Sequence, residues 1–163
     1  MAIQSNPLTR PSPPWVIKAD LEDATVRNYV QDAGDSGVVV ELQGGEARTL
    51  DSFFSMISSR LDFPEYFGRN WPALKDCLTD LEWLPADSYC LVFRNSDLLF
   101  ADEPIERRAF LDTVKLSAEE WAAPVELGEW WDRPAIPFHV VLDPGIADWD
   151  ADQVVEVGQL LAH

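Results

Sequence analysis

At 163 residues and 47% apolar content, the chain is long enough for one domain with a sizeable core and too apolar for a disordered segment. Its 29 acidic and 12 basic residues give a formal charge of −17. That charge argues against nucleic acid as a direct ligand, which needs clustered Lys and Arg, and disfavours an anionic membrane surface.

Residues 1–14 contain four prolines and little apolar content, so an extended or mobile arm is expected there. Trp15, Val16 and Ile17 read as a short strand. Asp20 is the expected cap of a helix over about 21–32 that ends at Gly34. Val38, Val39, Val40 and Leu42 form a β-branched run between Gly37 and Gly44, the pattern of a buried strand. Phe53, Phe54, Ile57 and Leu61 repeat at helical spacing, with Thr49 or Asp51 near the cap. A loop over 62–69 leads to a helix over 71–81, and Pro85 closes that region. Tyr89 to Phe93 is a second buried strand. Asp102 and Pro104 mark the start of a further helix, whose apolar face is Phe110, Leu111, Val114, Ala118 and Trp121. A Pro- and Gly-punctuated loop over 124–137 precedes a last buried strand, Phe138 to Leu142. The tail from 143 holds five acids and no Lys or Arg. It reads as a solvated end, although Val154, Val155, Val157, Leu160 and Leu161 are spaced for a short docking helix. Apolar strands alternating with helices predict an α/β fold with a parallel sheet covered by helices.

Catalytic chemistry finds little support. His139 alternates within a buried strand and reads as structural, and His163 is terminal. Cys77 and Cys90 lack metal spacing and read as two buried thiols in a reducing compartment. No nucleophile motif, phosphate loop or ligand set occurs, and acidic pairs such as Glu119–Glu120 or Asp148–Asp150 arise by chance among 29 acids. No catalytic residue, metal or cofactor is expected. No apolar run approaches a membrane span, and the opening Met-Ala-Ile-Gln-Ser-Asn-Pro lacks the features of a secretory signal. A cytoplasmic location is the expectation, and an enzyme is disfavoured.

The most informative stretch is Phe63 to Leu78, F-P-E-Y-F-G-R-N-W-P-A-L-K-D-C-L. Gly68 sits where a sharp turn into a helix calls for a positive φ. Asn70 suits an N-cap, and Pro72 falls in the first turn, where its missing N–H costs little. Leu74, Cys77, Leu78 and Leu81 form the apolar stripe, which leaves Pro72, Lys75, Asp76, Thr79 and Asp80 on the other face. Asp76 and Asp80 repel each other at i, i+4, an arrangement that suits a cationic partner.

This block resembles the signature of the barstar family, intracellular inhibitors of secreted ribonucleases, through Pro64, Glu65, Tyr66, Phe67, Gly68, Asn70, Ala73, Leu74, Asp76, Cys77, Leu78 and Thr79. The element order over 37–142 is similar as well. The resemblance implies a three-stranded parallel sheet with helices. Residues 1–36 form an extension able to add a strand and helix, and 143–163 form an acidic tail. It also implies that the carboxylate at Asp76 enters a nuclease active site and takes the place of a substrate phosphate. The expected partner-binding residues are Tyr66, Gly68, Asn70, Trp71, Pro72, Lys75, Asp76, Thr79 and Asp80. The residues themselves leave Tyr66 and Trp71 open between core packing and contact, and Asn70 between cap and contact. The resemblance implies a binding protein, monomeric when free, whose partner is a basic ribonuclease or a related toxin against which it serves as an immunity protein; the alternative is an interaction module with a non-nuclease partner. The chain departs from the family pattern at Pro72, where an acid is common, at Lys75, where the classical member has an aromatic, and at Arg69. These departures predict poor inhibition of barnase.

Overall fold

The computed structural model describes residues 6–144 and 154–157. The elements in chain order are β1 (Val16–Lys18), α1 (Ala24–Ser36), β2 (Val38–Gln43), α2 (Leu50–Arg60), α3 (Trp71–Asp80), β3 (Tyr89–Arg94), α4 (Glu106–Ala122), β4 (Phe138–Leu142) and β5 (Val154–Glu156). The strands form one parallel sheet in the order β2-β3-β4-β1-β5. The expected α/β class and parallel sheet are present, with five strands instead of three. Both additions come from outside the central region: β1 pairs with β4 on one side and with β5 on the other.

Strand alternation divides the core in two. Tyr89, Leu91 and Phe93 of β3, with Phe138, Val140 and Leu142 of β4, face a large core built with α2, α3 and α4. Phe53 sits within it, its ring centroid 4.8 Å from that of Phe100 and 5.6 Å from that of Phe110. Cys90, Val92 and Val141 point the other way, into a smaller core with Leu8, Ile17, Leu21, Val26 and Ala33. Helices α2, α3 and α4 therefore cover one face, and α1 with the N-terminal arm covers the other.

Several boundaries differ from expectation. The cap of α1 is Asp23, which accepts the N–H groups of Thr25 and Val26, whereas Asp20 accepts from Glu22 in the preceding turn. The helix runs through Gly34 to Ser36. The glycine required at the end of this helix is Gly37, where a Cβ would lie 1.9 Å from the Ser88 hydroxyl oxygen and 2.5 Å from its carbonyl. Helix α2 begins with a capping box between Thr49 and Ser52. Asp102 does not cap α4; it holds Arg48 with two hydrogen bonds. The arm is packed where it is described: Pro7–Thr9 form a 3-10 turn, Leu8 is buried, and Asn6 donates to the Tyr29 carbonyl. His139 is fully buried beneath it, with Nδ1 2.9 Å from the Pro14 carbonyl oxygen and Nε2 2.7 Å from that of Arg10. Cys77 and Cys90 are both free and buried. In the tail, Val154–Glu156 is a strand, because the free edge of β1 offers it a backbone ladder; of the residues expected in a docking helix, Val157 is helical. Asp148, Asp150, Leu160, Leu161 and His163 lie outside the described residues.

Candidate functional site

Helix α3 is set in place from both ends. Asn70 precedes it in extended conformation, and its Oδ1 accepts the Ala73 N–H at 2.8 Å, so this side chain is occupied as the cap. Pro72 lies in the first turn. At the other end Leu81 adopts a left-handed conformation, φ 48°, and its N–H closes on the Cys77 carbonyl. Leu74, Cys77, Leu78 and Leu81 are all buried, as their spacing requires. Trp121 of α4 fixes the inner side by donating its indole N–H to the Leu78 carbonyl at 2.7 Å.

The loop before α3 is pinned by aromatics. The Phe63 and Phe67 rings meet at 5.0 Å, Phe67 packs on Phe54, and Trp83 donates to the Leu61 carbonyl at 2.8 Å. The positive φ expected at Gly68 falls on the next residue, Arg69, at 53°. What Gly68 supplies is room: a Cβ there would come within 3.3 Å of the Ala73 Cβ and 3.4 Å of the Asn70 Nδ2. Tyr66 lies between the two pinned phenylalanines and points outward, 75% exposed, so core packing does not account for it. Its phenol is held above the ordinary value by desolvation and then by negative neighbours, Asp80 foremost.

Trp71 has a structural task. Its ring packs on Phe53, Phe54 and Phe100, and its indole N–H donates to Glu106 at 2.9 Å. The half-buried Thr79 turns its hydroxyl back onto the Lys75 carbonyl at 2.8 Å. Pro72, Asp76 and Asp80 are exposed on one face of the helix.

The two cations near this face are both engaged elsewhere. Lys75 reaches α4, with its Nζ 3.2 Å from Glu120. Arg69 reaches α2, where it bonds the Asp51 carboxylate at 2.7 Å, the Asp51 carbonyl and the Ser55 hydroxyl. Among the described residues, Asp76 and Asp80 enter no ion pair. Both also stand in the last turns of α3, at the negative end of the helix dipole. The helix thus carries two carboxylates where neither its own dipole nor a neighbouring cation favours them. The effect reaches inward, since burial and the charges of Asp80 and Asp76 push the Cys77 thiol up.

A family model described as Barstar (barnase inhibitor) matches residues 38–143. The chain belongs to the barstar family. The matched span runs from the start of β2 to the residue after β4, so it contains α3 and the loop before it, while β1 and β5 lie outside it. The family is one of inhibitors. No curated relative matches the chain. Among the described residues no group of His, Cys, Asp or Glu is arranged to hold a metal, and no helix is long and apolar enough to cross a membrane.

Sequence reasoning missed what restrains the two cations. Arg69 and Lys75 read as charges added to the exposed face, but their partners Asp51 and Glu120 lie 18 and 45 residues away. No local spacing signals contacts of that range.

Proposed function

We propose that this chain inhibits a basic ribonuclease or related toxin by seating the acidic face of α3 in the enzyme's active site. The observation that carries the reading is the exposed, uncompensated pair Asp76 and Asp80, from which Lys75 and Arg69 are drawn away by Glu120 and Asp51. Guanidinium groups that grip phosphate also take a carboxylate through paired hydrogen bonds, so Asp76 is suited to stand in for a substrate phosphate. Tyr66 and Pro72 add exposed contact surface on either side, and Tyr is favoured at the centres of interfaces. Asn70, Gly68 and Trp71 act by setting the loop and helix in place, and Thr79 by its position beside Asp76. In this reading residues 37–142 carry the inhibitory surface, 1–36 are an extension that lends the sheet a strand, and 143–163 are an acidic tail. The protein acts by occupancy without turnover, in the cytoplasm, and binds no nucleic acid itself.

The test is Asp76→Ala against a basic ribonuclease that the wild-type protein inhibits, by calorimetry and by titration of RNA hydrolysis. Truncating one partner of a desolvated charge pair costs about 2–5 kcal/mol. Affinity should fall accordingly, while the circular dichroism and unfolding midpoint of the free protein stay as they were. A variant that binds and inhibits like wild type sinks the reading.

A further inference from the structure

Between α4 and β4 the chain makes a turn whose tip is apolar and exposed: Leu127 is 69%, Trp130 89% and Trp131 49% accessible. Side chains of this kind normally lie within a core or an interface. The turn is also firmly built. Val125 and Arg133 form an antiparallel bridge with both backbone hydrogen bonds. Asp132 accepts the N–H groups of Leu127 at 3.0 Å and Gly128 at 2.7 Å; the Leu127 bond is the main influence that holds its carboxyl below the usual range. Arg133 donates to the carbonyls of Glu120, Trp121, Ala123 and Pro134 and lies over the Trp121 ring at 4.6 Å. Gly128 has φ +77° with open space around it, as the bend requires. This bracing occupies the charged groups at the base and leaves the aromatic tip free.

Two observations say what fits there. The first is charge. Asp132 and Arg133 are engaged within the turn, and the side chains left exposed around the tip are Glu126 and Glu129. The second is continuity. Glu120, which draws in Lys75 from α3, also gives its backbone carbonyl to Arg133. The base of the turn therefore adjoins the surface proposed above. Trp130 and Trp131 meet at 5.5 Å with their planes 87° apart, which makes a corner with two ring faces.

We propose that the turn Val125–Arg133 is a second contact element of this inhibitor, whose Trp130–Trp131 corner takes an exposed arginine side chain of the basic protein partner. The ring faces attract the guanidinium plane, and Glu126 and Glu129 supply the counter-charge. Because the turn is already ordered, little conformational freedom is lost on docking. The inference rests on the inhibitor reading only for the partner being a basic protein.

The full chain, labelled with nitrogen-15, is titrated with the peptide Gly-Arg-Gly-Arg-Gly, and the indole N–H signals of Trp130 and Trp131 are followed by NMR, assigned through Trp130→Phe and Trp131→Phe. Both signals should shift saturably, more weakly with the lysine peptide and not at all with the glutamate peptide. Glu126→Gln with Glu129→Gln should reduce the shift, and Trp130→Ala should abolish it at an unchanged circular dichroism spectrum. No saturable shift, or an equal one with the glutamate peptide, overturns the proposal. So does movement of the same signals with protein concentration alone, which would mean that a second copy covers the corner. Asp76→Ala should leave the peptide shifts unchanged. The loop can thus fail on the peptide while α3 stands on nuclease inhibition, and the reverse.

Discussion

Lys75 of α3 places its ammonium 3.2 Å from the Glu120 carboxylate of α4, across the helix pair that carries the candidate surface. The contact is half-exposed, so it adds little to stability. Its effect is on the charge of the outer face. With Lys75 turned toward α4, the exposed charges along α3 are Asp76 and Asp80 alone.

Glu120→Gln should therefore weaken inhibition of a basic ribonuclease, although residue 120 need not touch the enzyme. The released Lys75 would stand beside Asp76 and repel the arginine that Asp76 receives. Adding Lys75→Gln to Glu120→Gln should restore inhibition. Steady-state titration of the three proteins separates this from a direct contact of Glu120, which Lys75→Gln would not rescue.

Pro72 bears on target choice in a different way. It is exposed one turn before Asp76, and its side chain offers no hydrogen-bond acceptor. Pro72→Asp should improve inhibition of barnase, and it should also favour the helix because an acid in the first turn complements the dipole. A barnase titration with no gain, beside a raised unfolding midpoint, would assign Pro72 no part in specificity.

Association should be fast and should slow as salt is added. A protein of charge −17 meeting a cationic enzyme is guided by long-range attraction, which ions screen beyond about 8–10 Å at physiological strength. Stopped-flow mixing over a salt series measures this. A flat rate would favour an interaction module whose partner is not a cationic nuclease.

His139 should make stability fall on mild acidification. Burial is the largest influence on its ring and lowers its pKa from the ordinary 6.5; the Arg10 and Pro14 carbonyls pull the other way without prevailing. The unfolded chain therefore takes up a proton before the folded one does. Stability is lost as pH falls through 6.5 toward the lowered folded value, with a slope of at most about 1.4 kcal/mol per pH unit. Urea unfolding between pH 7.5 and 5.5, with His139→Asn as the control that flattens the slope, checks the sign. A rise in stability over that range would mean that the two carbonyls win and the ring is held as a cation.

Helix α3 was legible because each of its determinants is local: a cap at Asn70, a proline in the first turn, and a stripe at three- and four-residue spacing. The large core was legible for the same reason, since β3 and β4 are continuous apolar runs. Strand β1 was readable as a strand, but its place was not. A three-residue segment has no periodicity that names a partner, and Val16 pairs with Val140 and Val154. Strand β5 was misread because Val154 and Val155 satisfy a short helix or a strand equally well, and only the free edge of β1 decides. Gly68 was given the wrong task, since a turn needs positive φ somewhere and Arg69 supplies it. At the candidate site the residue types were legible; the withdrawal of Lys75 and Arg69 was not, because it depends on how three helices lie against one another.

The position of β1 between β4 and β5 has a consequence for how the chain comes to be folded. Of the strands described, Val16–Lys18 is made first, and both of its neighbours in the sheet follow only after β2, β3 and α4. During synthesis β2 and β3 can already join while β1 waits with both edges bare, and parallel pairings over such separations form slowly. The arm and α1, which lie next to β1 in sequence, are what can shelter Ile17 in the meantime, through contacts with Leu8, Leu21 and Val26 in the smaller core. The smaller core of this protein can thus start from neighbours in the chain, but both cores close only when β4 arrives, bringing Val141 to one and Val140 and Leu142 to the other.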